Sequence, residues 1–137
     1  MNESTEQLIH IVRDFFAGRH DVAAVYLYGS AVHGPFTQYS DVDVGVLYER
    51  EHVPDFEQQM DDSMELSNRL RREVDLVVLN NVSPILQRQV LKKGRMILCQ
   101  NPKLVNRFFV NALNSYFDLK RNRREIERNL YQVSIYD

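Results

Sequence analysis

The chain has 137 residues, 44% of them apolar and 26% charged, with five glycines, four prolines and a formal net charge of −2. That length is expected to form a single domain over residues 1–137, with a core of its own and little room for a second. The mild acidity argues against a protein that holds long nucleic acid by charge, so no stable nucleic-acid complex is expected, and the lone Cys99 excludes an internal disulfide framework or a multi-cysteine zinc site.

A reducing cytoplasm is the natural compartment for such a chain. "MNESTEQLIHIVRDFF" lacks the basic-then-apolar pattern of a secretory signal, and no apolar run approaches roughly 18 residues, so no membrane span is expected.

From Glu3 to Ala17, Leu8, Ile9, Ile11, Val12, Phe15 and Phe16 recur at three- and four-residue steps, which predicts an amphipathic helix ended by Gly18. "VAAVYLY" (22–28) is a short apolar run of β-formers, and "VDVGVLY" (42–48) and "EVDLVVL" (73–79) resemble it, so the three are expected in one sheet. Between the last two, Pro54 and first-turn acidic residues open a helix over 54–72. It sets Phe56, Met60, Met64 or Ser63, and Leu66 or Ser67 along one side.

Ser83-Pro84 then caps and starts "ILQRQVLKK", Gly94 ends it, and "RMILC" is a fourth strand. Asn101-Pro102 repeats the capping arrangement ahead of a long helix carrying Val105, Phe108, Phe109, Ala112, Tyr116, Leu119 and Ile126 near helical spacing. The order predicts an α/β (α+β) fold, a mixed β-sheet of about four strands flanked by helices, with a long C-terminal helix.

Period-two alternation in 42–48 sends Asp41 and Asp43 to one face, within roughly 7 Å of each other. Two ionised carboxylates on a mostly apolar sheet repel and are desolvated, so one must be protonated, salt-bridged or bound to a cation. Oxygen-only ligands suit Mg²⁺ or Mn²⁺. Asp75 is a third carboxylate in an apolar strand. If its strand neighbours 42–48, the three could close around two divalent ions, the clamp used in phosphoryl and nucleotidyl transfer. Gly29 and Ser30 directly follow the first strand, where a glycine permits close backbone approach and a serine can hold phosphate oxygens; Gly34 lets the loop fold back.

Gly29-Ser30, the ten residues from Ala31 to Ser40, Asp41-Val42-Asp43, and Asp75 in a later strand together resemble the signature of the DNA polymerase β-like nucleotidyltransferase superfamily. The match is closest to its minimal members, the small antitoxins paired with HEPN-domain toxins. "QVLKKGRMILC" and the terminal helix extend the resemblance over almost the whole chain. It implies the nucleotidyltransferase fold, with Asp41 and Asp43 as ligands of both metal ions, Asp75 as a metal ligand and base, and Gly29 and Ser30 as binders of the triphosphate of ATP. It further implies Mg²⁺-dependent transfer of AMP to a tyrosine of a HEPN toxin, blocking its RNase activity. Many relatives carry basic residues just after the Gly-Ser pair, where this chain has Ala31 and, two on, His33.

Two rival readings stay open: an antitoxin that binds its toxin without catalysis, and a nucleotidyltransferase acting on a small molecule or RNA. Outside the motif, His33 reads as a solvated loop histidine and Cys99 as a small core or sheet-edge residue. Asp75 has Arg71 or Arg72 as an alternative, purely structural partner. The mixed charges of 119–128 read as a solvated helix face, and Tyr116, Phe117, Tyr131 and Tyr136 as core, interface or tail.

Overall fold

The computed structural model describes residues 3–136, with side chains over residues 5–129. The elements run α1 (Glu3–Phe16), β1 (Val22–Tyr28), α2 (Ser30–His33), β2 (Val42–Tyr48), a 3-10 turn (Arg50–His52), α3 (Phe56–Leu70), β3 (Val74–Val78), α4 (Pro84–Lys93), β4 (Arg95–Cys99) and α5 (Pro102–Tyr136). The strands form one mixed sheet in the order β3-β2-β1-β4, with β1 antiparallel to both β2 and β4, and β2 parallel to β3. Cys99 therefore lies on an exposed edge strand. Among the described residues no helix is long and apolar enough to cross a membrane.

Each face of the sheet has its own apolar cluster. Leu8, Ile9, Val12 and Phe16 of α1 and Leu66 of α3 pack on Val25, Leu27, Val42, Val44 and Val46; on the other face Val90 of α4 and Phe108 of α5 meet Ala24, Tyr26, Leu47 and Leu79. Truncating a fully buried residue such as Leu66 to Ala costs roughly 2–5 kcal/mol. Local capping sets the helix starts as the sequence predicts: Ser83 Oγ accepts from Leu86 N–H at 3.2 Å, and Asn101 Oδ1 accepts from Leu104 N–H at 3.2 Å.

Two features of α3 differ from the sequence reading. The helix starts at Phe56, capped by Asp55, whose carboxylate accepts from Gln58 N–H at 2.8 Å, so Pro54, expected to open it, lies outside. The inward side is also polar: Gln59 donates to Leu76 O, Ser63 donates to Val74 O, and Val74 N–H donates to Ser67 Oγ. These side chains satisfy the free edge of β3, which outweighs burying Phe56, Met60 and Met64, and all three are exposed. Among the described side chains of α5 only Phe108 and Ala112 are buried, and from Phe117 to Asn129 the side chains face solvent, including the charged run at 119–128. Tyr116 is half-buried under the guanidinium of Arg88, 4.4 Å from its ring centroid, and Phe117 stacks edge-on against it; the side chains of Tyr131 and Tyr136 lie outside the described residues.

Candidate active site

The site is assembled where β1 ends and β2 begins. Val42, Val44, Val46 and Tyr48 turn to the α1/α3 face and fill it, which obliges the alternate residues, Asp43 among them, to point to the opposite face. In register, Tyr28 of β1 stands opposite Asp43 of β2, and Asp43 stands opposite Asp75 of β3. Residues opposite each other in a ladder share a face, and neighbouring strands lie about 4.8 Å apart, so the three make one row across the sheet. Asp41, two residues before Asp43, sits exposed just ahead of β2.

The Gly-Ser turn closes against this row. Gly29 has φ +72° and ψ −146°, a conformation that only glycine adopts readily, and a Cβ placed there would overlap the carboxylate of Asp43. Its carbonyl accepts from Val32 and His33 N–H, at 3.1 Å each, which starts α2 directly over the carboxylates. Ser30 is half-buried in that turn.

The connection from α2 to β2 is pinned from outside the motif. The Arg72 guanidinium donates to Thr37 O at 2.6 Å and Ser40 O at 3.1 Å, and lies 4.4 Å from the Phe36 ring centroid. Arg72 is thus spent on the backbone beside Asp41, and the alternative in which it neutralises Asp75 is not what the fold does. Among the described residues Asp41, Asp43 and Asp75 form no ion pair with any cation of the protein.

The electrostatic consequence is local. Burial first, then the negative charges of Asp75 and Asp41, hold the Asp43 carboxyl above its ordinary range. Burial, then Asp43 and Asp75, likewise push the Tyr28 phenol well up. An all-oxygen set of mutually repelling carboxylates with no internal counter-charge fits a hard divalent cation. Among the described residues no three acidic, histidine or cysteine side chains are drawn together as a metal-ligand cluster.

With that geometry in view, the family comparison is decisive: the family described as polymerase beta, nucleotidyltransferase matches residues 10–103. The chain belongs to the polymerase β nucleotidyltransferase family. The matched segment spans α1 to the start of α5, and so contains the Gly-Ser turn and all three aspartates that the family resemblance singles out. No curated protein matches the sequence. Among solved structures, a chain of a toxin-antitoxin crystallised with AMP-PNP is 25% identical with a TM-score of 0.73, covering 93% of this chain and 98% of that one. A mutant MntA-HpeT toxin-antitoxin is 28% identical with a TM-score of 0.70, covering 96% and 98%. The complex of a tri-AMPylated Shewanella oneidensis HEPN toxin with its MNT antitoxin shares the fold at 24% identity and a TM-score of 0.67, covering 93% and 96%.

Sequence reasoning missed Tyr28, whose signal was its parity with the strand ahead of Gly29, and Arg72, which had been weighed only as a partner of Asp75. His33 is exposed, as expected of a solvated histidine, and in addition its Nε2 donates to the Lys93 carbonyl at 2.5 Å, joining α2 to the end of α4.

Proposed function

We propose that this protein is the antitoxin of a HEPN toxin–antitoxin pair and acts by transferring AMP from ATP to a tyrosine hydroxyl of that toxin. The observation that carries the reading is the row of Asp43 and Asp75, with Asp41 beside it and the Gly29-Ser30 turn closed over it. Support comes from family membership and from the two toxin–antitoxin structures at 25% and 28% identity, one of them crystallised with an ATP analogue.

In this reading Asp41, Asp43 and Asp75 hold two divalent ions, Mg²⁺ or Mn²⁺, which supply charge neutralisation for the triphosphate and the departing pyrophosphate. Ser30 and the Gly29 turn hold the triphosphate, the backbone approaching closely because Gly29 has no side chain. Asp75 accepts the proton as the tyrosine oxygen bonds to the α-phosphorus, the bond from that phosphorus to the bridging oxygen breaks, and pyrophosphate leaves. Asp41 and Asp75 are exposed, so the reacting row forms an open shelf on which a folded protein can present its tyrosine. Dependence on ATP agrees with action in the cytoplasm.

The test is incubation of the purified chain with its HEPN partner, Mg²⁺ and ATP, followed by intact-mass measurement of the partner. A gain of about 329 Da per AMP on the partner, absent with Asp41→Asn/Asp43→Asn, is expected from the transfer chemistry. An unmodified partner that the double variant still neutralises would show an antitoxin acting by binding alone.

A further inference from the structure

The ten residues that follow Gly29-Ser30, "AVHGPFTQYS", contain no lysine or arginine. Under the proposed reading, about four negative charges of ATP and three of the aspartates face about four positive charges from two divalent ions, leaving an excess of about three negative charges. A cation beside the turn would offset part of it.

The end of α4, which packs on the sheet face to which Asp43 points, brings one toward it. In the β1–β4 pairing Tyr26 stands opposite Met96 and Leu27 opposite Arg95. Lys93, two residues before Arg95, closes α4, so its backbone lies at the end of β1 from which the Gly-Ser turn departs. Gly94 makes the approach feasible, since a Cβ there would lie 3.1 Å from Leu27 O and would overlap Val90 O. The His33 ring then fastens the junction, its Nε2–H donating to the Lys93 carbonyl at 2.5 Å and spanning 60 residues of sequence.

Of the cations at this corner, Arg95 is turned toward Glu6, with its guanidinium 3.9 Å from the Glu6 carboxylate. Lys93 is exposed, and among the described residues its ammonium meets no acidic side chain. Lys92 is one residue earlier on α4, about 100° around the helix, and does not share the position.

We infer that Lys93, held in place by His33, is the cation that binds the β- and γ-phosphates of ATP at the Gly29-Ser30 turn, standing in for the basic residues absent from the loop. Lys93 is the contacting group and His33 a positioning residue that acts through it. The inference rests on the nucleotidyltransferase reading above and names a residue of the same site. A long, flexible ammonium suits a triphosphate, which presents several oxygens in no single fork geometry.

Calorimetric titration of the purified full chain with ATP and with AMP, each with Mg²⁺, tests it without a partner. Lys93→Ala is expected to weaken ATP binding about tenfold and AMP binding less than about twofold, with Lys93→Arg restoring most of the loss. His33→Ala should weaken ATP binding about threefold, and His33→Gln, whose amide can donate to the same carbonyl, should recover it. Lys92→Ala should stay within about twofold of wild type, and melting curves should show every variant folded.

The inference is overturned if Lys93→Ala binds ATP as wild type does, if it loses ATP and AMP alike, or if Lys92→Ala weakens ATP equally. The parent reading is separable: wild-type protein that binds no ATP sinks both, whereas wild type and Lys93→Ala binding ATP equally sinks only the role of Lys93.

Discussion

At the amino end of β1 the carboxylates of Asp21 and Asp62 share the Arg19 guanidinium at 2.8 and 2.9 Å, whereas at its carboxyl end Asp41, Asp43 and Asp75 pair with no cation among the described residues. Arg19 also lies 5.7 and 5.3 Å from the ring centroids of Phe15 and Phe16, so it fastens the α1–β1 turn to α3. The hydrogen bond from Arg19 holds Asp21 below the ordinary carboxylate range, while burial and like charge hold Asp43 above it. One end is electrostatically complete and belongs to the scaffold. The other is left with negative charge that no cation among the described residues answers.

The largest break in this comparison is chemical. Asp43→Asn, alone or with Asp41→Asn, is expected to lower AMP transfer by at least about a thousandfold, measured as partner labelling per minute. In metal-free buffer the same substitution should leave Tm unchanged or higher, because it removes a repelled, partly buried charge. A drop in Tm would show that Asp43 is part of the scaffold after all.

Gly29→Ala comes next. The new methyl must displace the Asp43 carboxylate at a backbone conformation that alanine adopts poorly, so about 2 kcal/mol of stability and about a hundredfold of activity should be lost. Chemical denaturation and the labelling rate report the two losses separately.

Arg72→Ala removes the clamp on Thr37 and Ser40 without touching a carboxylate. About a tenfold fall in kcat is expected from a loosened Asp41, with a small change in Tm. Retention of full activity would mean that the loop holds Asp41 in place unaided.

At the scaffold end, Arg19→Ala should cost about 1–2 kcal/mol, read from denaturant midpoints, because the groups are part-exposed and partly screened. Activity should follow stability alone. The pH dependence of the two ends has opposite sign. Asp21 binds its proton less tightly when folded, so its contribution is complete above the ordinary carboxylate range and is lost as pH falls through the lower folded value. Asp43 binds its proton more tightly when folded, so metal-free protein loses stability as pH rises through that raised value. Melting curves across the acid range should show Asp21→Asn lowering stability above the carboxylate range and Asp43→Asn abolishing the decline on its own limb.

Much of this was legible in the chain. Helical spacing located α1, caps at Ser83 and Asn101 located α4 and α5, and the turn-plus-aspartate spacing singled out Gly29, Ser30, Asp41 and Asp43, of which the fold sets Gly29 against Asp43. The face of α3 was read in part: Ser63, Leu66 and Ser67 of the expected side do turn inward, but Phe56, Met60 and Met64 do not, because the edge backbone of β3 recruits Gln59, Ser63 and Ser67. His33 is exposed as expected, but its partner lies 60 residues away and was not legible.

The division follows the range of the forces. Capping, turn conformation and the two- and 3.6-residue periods act within a few residues, so the sequence by itself determined the elements, their order, and the parity that puts Asp41 and Asp43 on the face away from the valines. Strand pairing acts between segments with no sequence rule to name the partner. Only the tertiary structure decided that Asp75 stands opposite Asp43, that Tyr28 completes their row, that Arg72 serves the loop, and that the Lys93 carbonyl meets His33 of α2.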